Sequence, residues 1–164
     1  MNDWIQLLEK IIFAVAGGLA AYWFAHHKFL SQRLWDKKFE LISETITVLK
    51  ELTHALSILH GILASKTNQN NNVTVKTIAI DFENALSRLH SLQGPLLLVS
   101  LDNVKNKLLP IYAALQMVNP IGILEIKSDE EYQEVSDLFK QSQYIVEGCS
   151  GEVAFLGRKE LKIK

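Results

Sequence analysis

The 164-residue chain reads as an all-α protein, with an N-terminal transmembrane helix continuing into a long helix of a cytosolic helical bundle. Three observations predict this. An uncharged apolar run, IIFAVAGGLAAYWFA, fills residues 11–25. Apolar residues then recur every seven positions over residues 35–63, in more than one column. Only 3 Pro and 8 Gly occur, which leaves room for long uninterrupted helices.

A hydrocarbon core needs roughly 20 apolar residues. The run over 11–25 is short by that measure. Counted from Trp4 the stretch reaches 22 residues, with Glu9 and Lys10 near one end, where long side chains can snorkel or pair. Trp4, Tyr22 and Trp23 lie near the two ends, as interfacial aromatics do. A signal peptide would carry a basic flank and an A-x-A site. Here Asp3, Glu9 and Lys10 make the flank slightly acidic, and no such site follows. An interfacial helix would need a polar face, which residues 11–25 lack. A buried core helix of a soluble protein is the remaining alternative.

The flanking charges set the expected orientation. Lys28, Arg33, Lys37 and Lys38 follow the span within a dozen residues, against Asp3, Glu9 and Lys10 before it. The positive-inside rule places the C-terminal part in the cytoplasm and the short N-terminus outside, in the cell inner membrane. A lone cysteine, Cys149, excludes an intrachain disulfide and suits a reducing compartment. Within the span, Ala14, Gly17, Gly18, Ala21 and Ala25 recur at four-residue spacing in two rows. Small residues so spaced let membrane helices approach closely, so these five are the candidate oligomerisation positions.

The sequence therefore divides into an anchor over 1–28 and a cytosolic helical domain over 29–164. Over 29–63 no Pro occurs and Gly61 is the only glycine. Trp35, Ile42, Leu49, Leu56 and Leu63 form one column and Phe39, Ile46, Thr53 and His60 a second. Leu34, Leu41, Val48, Ala55 and Ile62 add a third. Three columns make a broad face that suits a bundle rather than a two-stranded seam. Trp35, Phe39, Ile42, Ile46 and Leu49 are the interface candidates on this helix. A continuous rod leaving the membrane is expected, with a bend near 29–31 as the variant.

Residues 65–74, SKTNQNNNVT, read as a flexible connector, because Asn and Ser favour turns. A helix is expected over about 75–92, stopped by Gly94 and Pro95. Residues 96–101 are apolar and read as a buried link. A helix capped by Ser100 or Asp102 should run through Met117, kinked or divided at Pro110. Residues 119–122 form a turn and 123–126 a brief extended piece. Ser128 with Glu131 three residues on is a capping box, opening a helix whose stripe runs Tyr132, Val135, Phe139, Ser142, Val146, Cys149, Val153 and Leu156. The basic tail is expected to fray.

No phosphate-binding glycine loop, dinucleotide fingerprint, zinc-protease helix or nucleophile elbow occurs. His26, His27, His54, His60 and His90 are not spaced for chelation, and Cys149 falls on an apolar stripe. The chain is expected to be no enzyme and to hold no cofactor or metal. Net charge is −1, from 17 Lys+Arg against 18 Asp+Glu, which lacks the basic surplus of a nucleic-acid binder.

The stretch Gln32-Arg33-Leu34-Trp35-Asp36-Lys37-Lys38-Phe39, directly after an apolar span, resembles a loose group of uncharacterised bacterial single-pass membrane proteins with all-helical cytosolic domains. Leu98-Val99-Ser100-Leu101-Asp102 before a helix is a further similarity. Some such proteins are encoded among phage-defence or mobile-element genes, so the resemblance implies an accessory role in antiviral defence and no catalytic residues. The expected function is a non-enzymatic membrane-anchored interaction module. It would contact membrane lipid, form a homo-oligomer and dock a cytosolic protein. The alternative is a pore-forming effector gated by its cytosolic domain, in which Gln6, Glu9 and Lys10 face a lumen.

Overall fold

A computed structural model describes residues 3–64, 72–126 and 128–162, the side chains of 3–12, 72 and 129 excepted. The chain is all-α. Helices α1 (Asp3–Ala64), α2 (Asn72–Ser91), α3 (Gln93–Leu98), α4 (Asp102–Leu115) and α5 (Asp129–Glu160) follow in order, with a 3-10 turn at Ile121–Glu125 before α5. No strand occurs among the described residues. The backbone of α1 stays helical through residues 29–31. Two compact units are present, Met1–Lys37 and Lys38–Lys164. The division falls after Lys37, whereas the sequence reading places it after residue 28.

In the second unit the heptad columns of α1 become a core. Leu41, Ile42, Val48, Leu49, Leu52, Leu56, Leu59 and Leu63 are buried together with Phe82 and Leu89 of α2, Leu108 and Ile111 of α4, and Phe139, Val146 and Val153 of α5. The outward residues carry the charges that tie helix to helix. Arg88 of α2 reaches Glu51 of α1 at 2.6 Å, with Glu44 at 3.9 Å. Lys38 of α1 pairs with Glu160 of α5 at 3.7 Å, and Lys107 of α4 with Glu152 of α5 at 2.8 Å. Such partly solvated pairs contribute little each, up to about 1 kcal/mol, so apolar burial dominates.

Several boundaries differ from the sequence reading. Residues 72–74, assigned to the Asn-rich connector, open α2, while 65–71 lie outside the described residues. Gly94 and Pro95 do not simply end a helix: they sit in the first turn of α3, where proline lacks only an N–H that has no helical partner. The first half of the apolar link, residues 96–98, is therefore helical, and 99–101 are not. Ser100 caps no helix. It takes φ 58°, and its N–H donates to the Leu97 carbonyl at 3.0 Å while the Leu101 N–H donates to that of Leu96 at 2.9 Å. This is the left-handed closure of a helix C-terminus, made here by serine instead of glycine. Leu101, with no side-chain oxygen, occupies the N-cap of α4, and Asp102 falls inside its first turn. Pro110 lies within α4 without dividing it, and α4 ends at Leu115 rather than Met117. Residues 123–125 are 3-10 helix rather than extended, and the preceding turn is fastened by the Gly122 N–H donating to Asn119 Oδ1 at 3.1 Å.

Other expectations hold. Ser128 is extended, and its Oγ accepts the Glu131 N–H at 3.2 Å at the start of α5. On that helix Phe139, Ser142, Val146 and Val153 are buried, with Tyr132, Val135, Cys149 and Leu156 half-buried along the same stripe. Gly148 and Gly151 do not interrupt it.

Candidate functional site

The most unusual surface is the described part of α1 before the core begins. Every residue over 13–37 is exposed. Phe13 is 74% exposed, Trp23 61% and Phe24 67%, with Val15, Leu19, Tyr22, Leu30 and Leu34 in the same state. A helix that is apolar all round is normally buried in protein or in lipid. These eight side chains, at about 1.5–3 kcal/mol each, represent on the order of 10–20 kcal/mol of burial not made within the described chain.

Hydropathy alone would point to the wrong half of this helix. Over the described residues Phe13–Ala64, α1 is long and apolar enough to cross a membrane, and its qualifying 18-residue window has a mean hydropathy of 1.2. Yet 39% of that window is buried. Because 13–37 are exposed throughout, a window so buried lies beyond Lys37, among the leucines of the core. Exposure, not hydropathy, marks residues 13–25 as the uncovered segment.

The five small residues of the predicted oligomerisation face, Ala14, Gly17, Gly18, Ala21 and Ala25, are all exposed. At 100° per residue they span an arc of roughly 100°. A Cβ added to Gly17 or Gly18 would meet nothing within 4 Å. The expected lumen-facing side chains of Gln6, Glu9 and Lys10, and the Trp4 anchor, lie outside the described residues. Past Ala25, the Tyr22 ring stacks on His26 with centroids 5.9 Å apart and planes 9° apart. Trp23 and His27 approach to 5.7 Å, and the Arg33 guanidinium lies 4.3 Å from the Phe29 ring centroid.

The five interface candidates that follow the apolar run separate by environment. Trp35 and Phe39 are 43% and 48% exposed. Ile42 and Leu49 are buried in the chain's own core, and Ile46 packs half-buried against it. Those three are committed within the fold, because α2 and α5 cover that face of α1. Only Trp35 and Phe39 offer large apolar area to a second chain.

Elsewhere the second unit holds a cleft of about 360 Å³ between α1 and α2. Ala55, Ile58, Ile78 and Ala85 form its apolar wall, and His54, Asp81, Asn84 and the Glu51–Arg88 pair supply its polar lining. Among the described residues no hydrogen bond joins His54 to Asp81. A second polar spot surrounds Cys149. Burial pushes its thiol above the ordinary range, the Glu152 carboxylate adds to that, and the Lys107 ammonium opposes it. That environment holds the thiol protonated, the reverse of what a nucleophile needs. Tyr112 is buried, donates to the Leu89 carbonyl at 2.8 Å and stacks on His90 at 4.5 Å. Among the described residues no three His, Cys, Asp or Glu side chains gather to hold a metal ion.

The sequence reading did not single out Arg88, Tyr112 or the Lys107–Glu152 pair. Their partners are 22 to 45 positions away, and nothing in local spacing announces such contacts. Comparison with protein-family models, with curated proteins and with solved structures gave no match.

Proposed function

We propose that the protein is a non-enzymatic, membrane-anchored helical module. The uncovered N-terminal part of α1 spans the inner membrane, and the helices from Lys38 onward form a cytosolic bundle that docks a protein partner. The observation that carries this reading is the continuous exposure of residues 13–37, with aromatic and aliphatic side chains on all sides. Water disfavours such a surface, and a bilayer accommodates it. The excess of Lys28, Arg33, Lys37 and Lys38 after the run supports a cytoplasmic C-terminal part. Self-association would use the open small-residue face around Gly17, with Trp35 and Phe39 extending the contact.

The test is fractionation of cells expressing the full chain. The protein is expected in the membrane fraction after an alkaline carbonate wash, released only by detergent, and larger than an 18.5 kDa monomer plus its micelle. A monodisperse monomer recovered in buffer without detergent would overturn the proposal. A second reading, a pore-forming effector, draws on the same open face at Gly17 and Gly18. Dye release from vesicles carrying the reconstituted chain separates the two, since an anchor leaves them sealed.

A further inference from the structure

The anchoring reading leaves one group of side chains unused. Tyr22, His26, Phe29 and Arg33 follow one another at spacings of four, three and four, which places them within an arc of about 60° on one helical face. Two of them are aromatic rings, and each carries a nitrogen-bearing group laid over it from the C-terminal side. The His26 ring lies parallel to that of Tyr22, and the Arg33 guanidinium sits over Phe29. Among the described residues no carboxylate pairs with Arg33. A guanidinium drawn over a ring is held by cation–π attraction and not by its N–H groups, and those N–H groups match two phosphate oxygens at once.

The level of this group along the helix fits one occupant. Because Arg33 folds back over Phe29, its cation sits near the height of residue 29, four residues past Ala25. At 1.5 Å per residue that is about 6 Å beyond the end of the uncharged run. The head-group layer on each side of a bilayer is about 5–7 Å thick. From these positions we infer that Arg33, oriented by Phe29, binds the phosphate of an anionic phospholipid on the cytoplasmic leaflet. This assignment rests on the membrane reading above and names the lipid class that the anchor selects.

The experiment reconstitutes the full chain into phosphatidylcholine vesicles. These contain either brominated phosphatidylglycerol or brominated phosphatidylcholine at equal fraction, and quenching of tryptophan fluorescence is compared. The wild-type chain is expected to favour the anionic lipid by about fivefold, the factor that one basic residue near an anionic surface supplies. Arg33→Gln is expected to remove that preference, Arg33→Lys to retain part of it, and millimolar inorganic phosphate to leave it unchanged. Equal quenching by both lipids would overturn the inference while leaving the anchor intact. A preference that survives Arg33→Gln would also overturn it, as would one abolished by free phosphate. Failure of the chain to enter vesicles at all would sink the membrane reading itself.

Discussion

Ile42 and Gly157 meet across the α1–α5 contact at a separation that only glycine permits. A Cβ on Gly157 would stand 2.5 Å from Ile42 Cγ2, closer than real carbon contacts come. Cγ2 branches directly from Cβ, and β-branched side chains have little freedom at χ1, so the methyl cannot swing aside. Gly157→Ala should lower stability by about 1 kcal/mol: overpacking costs about 1–3, offset by roughly 1 from better helix propensity. Ile42→Leu removes the branched methyl and should recover most of the loss. Denaturant melts of the two single variants and the double variant in detergent give the coupling. Additive effects would mean that the helices move apart freely here.

Ser100 holds a left-handed φ of 58° to close α3. A non-glycine residue there costs roughly 1 kcal/mol or more. Ser100→Gly should therefore raise the unfolding midpoint, by about 0.5–1 kcal/mol in free energy, provided the two closing hydrogen bonds persist. A destabilised Ser100→Gly protein would show that the serine side chain contributes more than its backbone costs.

Tyr112 predicts a one-sided pH effect. Burial raises the pKa of its phenol from the ordinary 10.0, with the Gln93 side chain partly opposing. The folded state thus keeps its proton where the unfolded chain has lost one. Below pH 10 the group adds nothing to the pH dependence. Above it, stability falls as pH rises toward the folded pKa. Tyr112→Phe should cost about 1 kcal/mol near neutrality through loss of the bond to the Leu89 carbonyl, and should flatten the alkaline decline. Melting curves between pH 8 and 11 check both parts.

Cys149 should alkylate slowly at pH 8. Its thiol is held up first by burial and then by Glu152, with Lys107 opposing. Glu152→Gln removes the carboxylate and leaves Lys107 unpaired, so both changes favour thiolate and the iodoacetamide rate should rise. Lys107→Met should slow it further. The two variants changing the rate in the same direction would contradict this electrostatic account.

Gly17→Leu isolates intermolecular packing. A Cβ there meets nothing within 4 Å and the position is exposed, so the isolated fold should be unaffected. If the small-residue face joins copies, the variant should weaken self-association by on the order of tenfold, equivalent to 1.4 kcal/mol. Crosslinking yield against detergent dilution measures it. Unchanged crosslinking would remove Gly17 from any interface.

The sequence by itself determined what depends on neighbours one helical turn away. The helical class, the Ser128 cap, the stripe of α5 and the three columns of α1 all rest on i, i+3 and i, i+4 relations, which spacing displays. Tertiary structure alone decided which members of those columns are used. Leu34 and Leu41 belong to one column, as do Trp35 and Ile42, yet the first of each pair is exposed and the second buried. Periodicity is a property of one helix, whereas burial requires a second, and α2 and α5 cover α1 only over its C-terminal part. The same reason hid the need for glycine at 157, the turn role of Ser100 and the reach of Arg88 to Glu51. Each depends on where a distant segment comes to rest, and that position is set by packing across the core, not by any pattern along the chain.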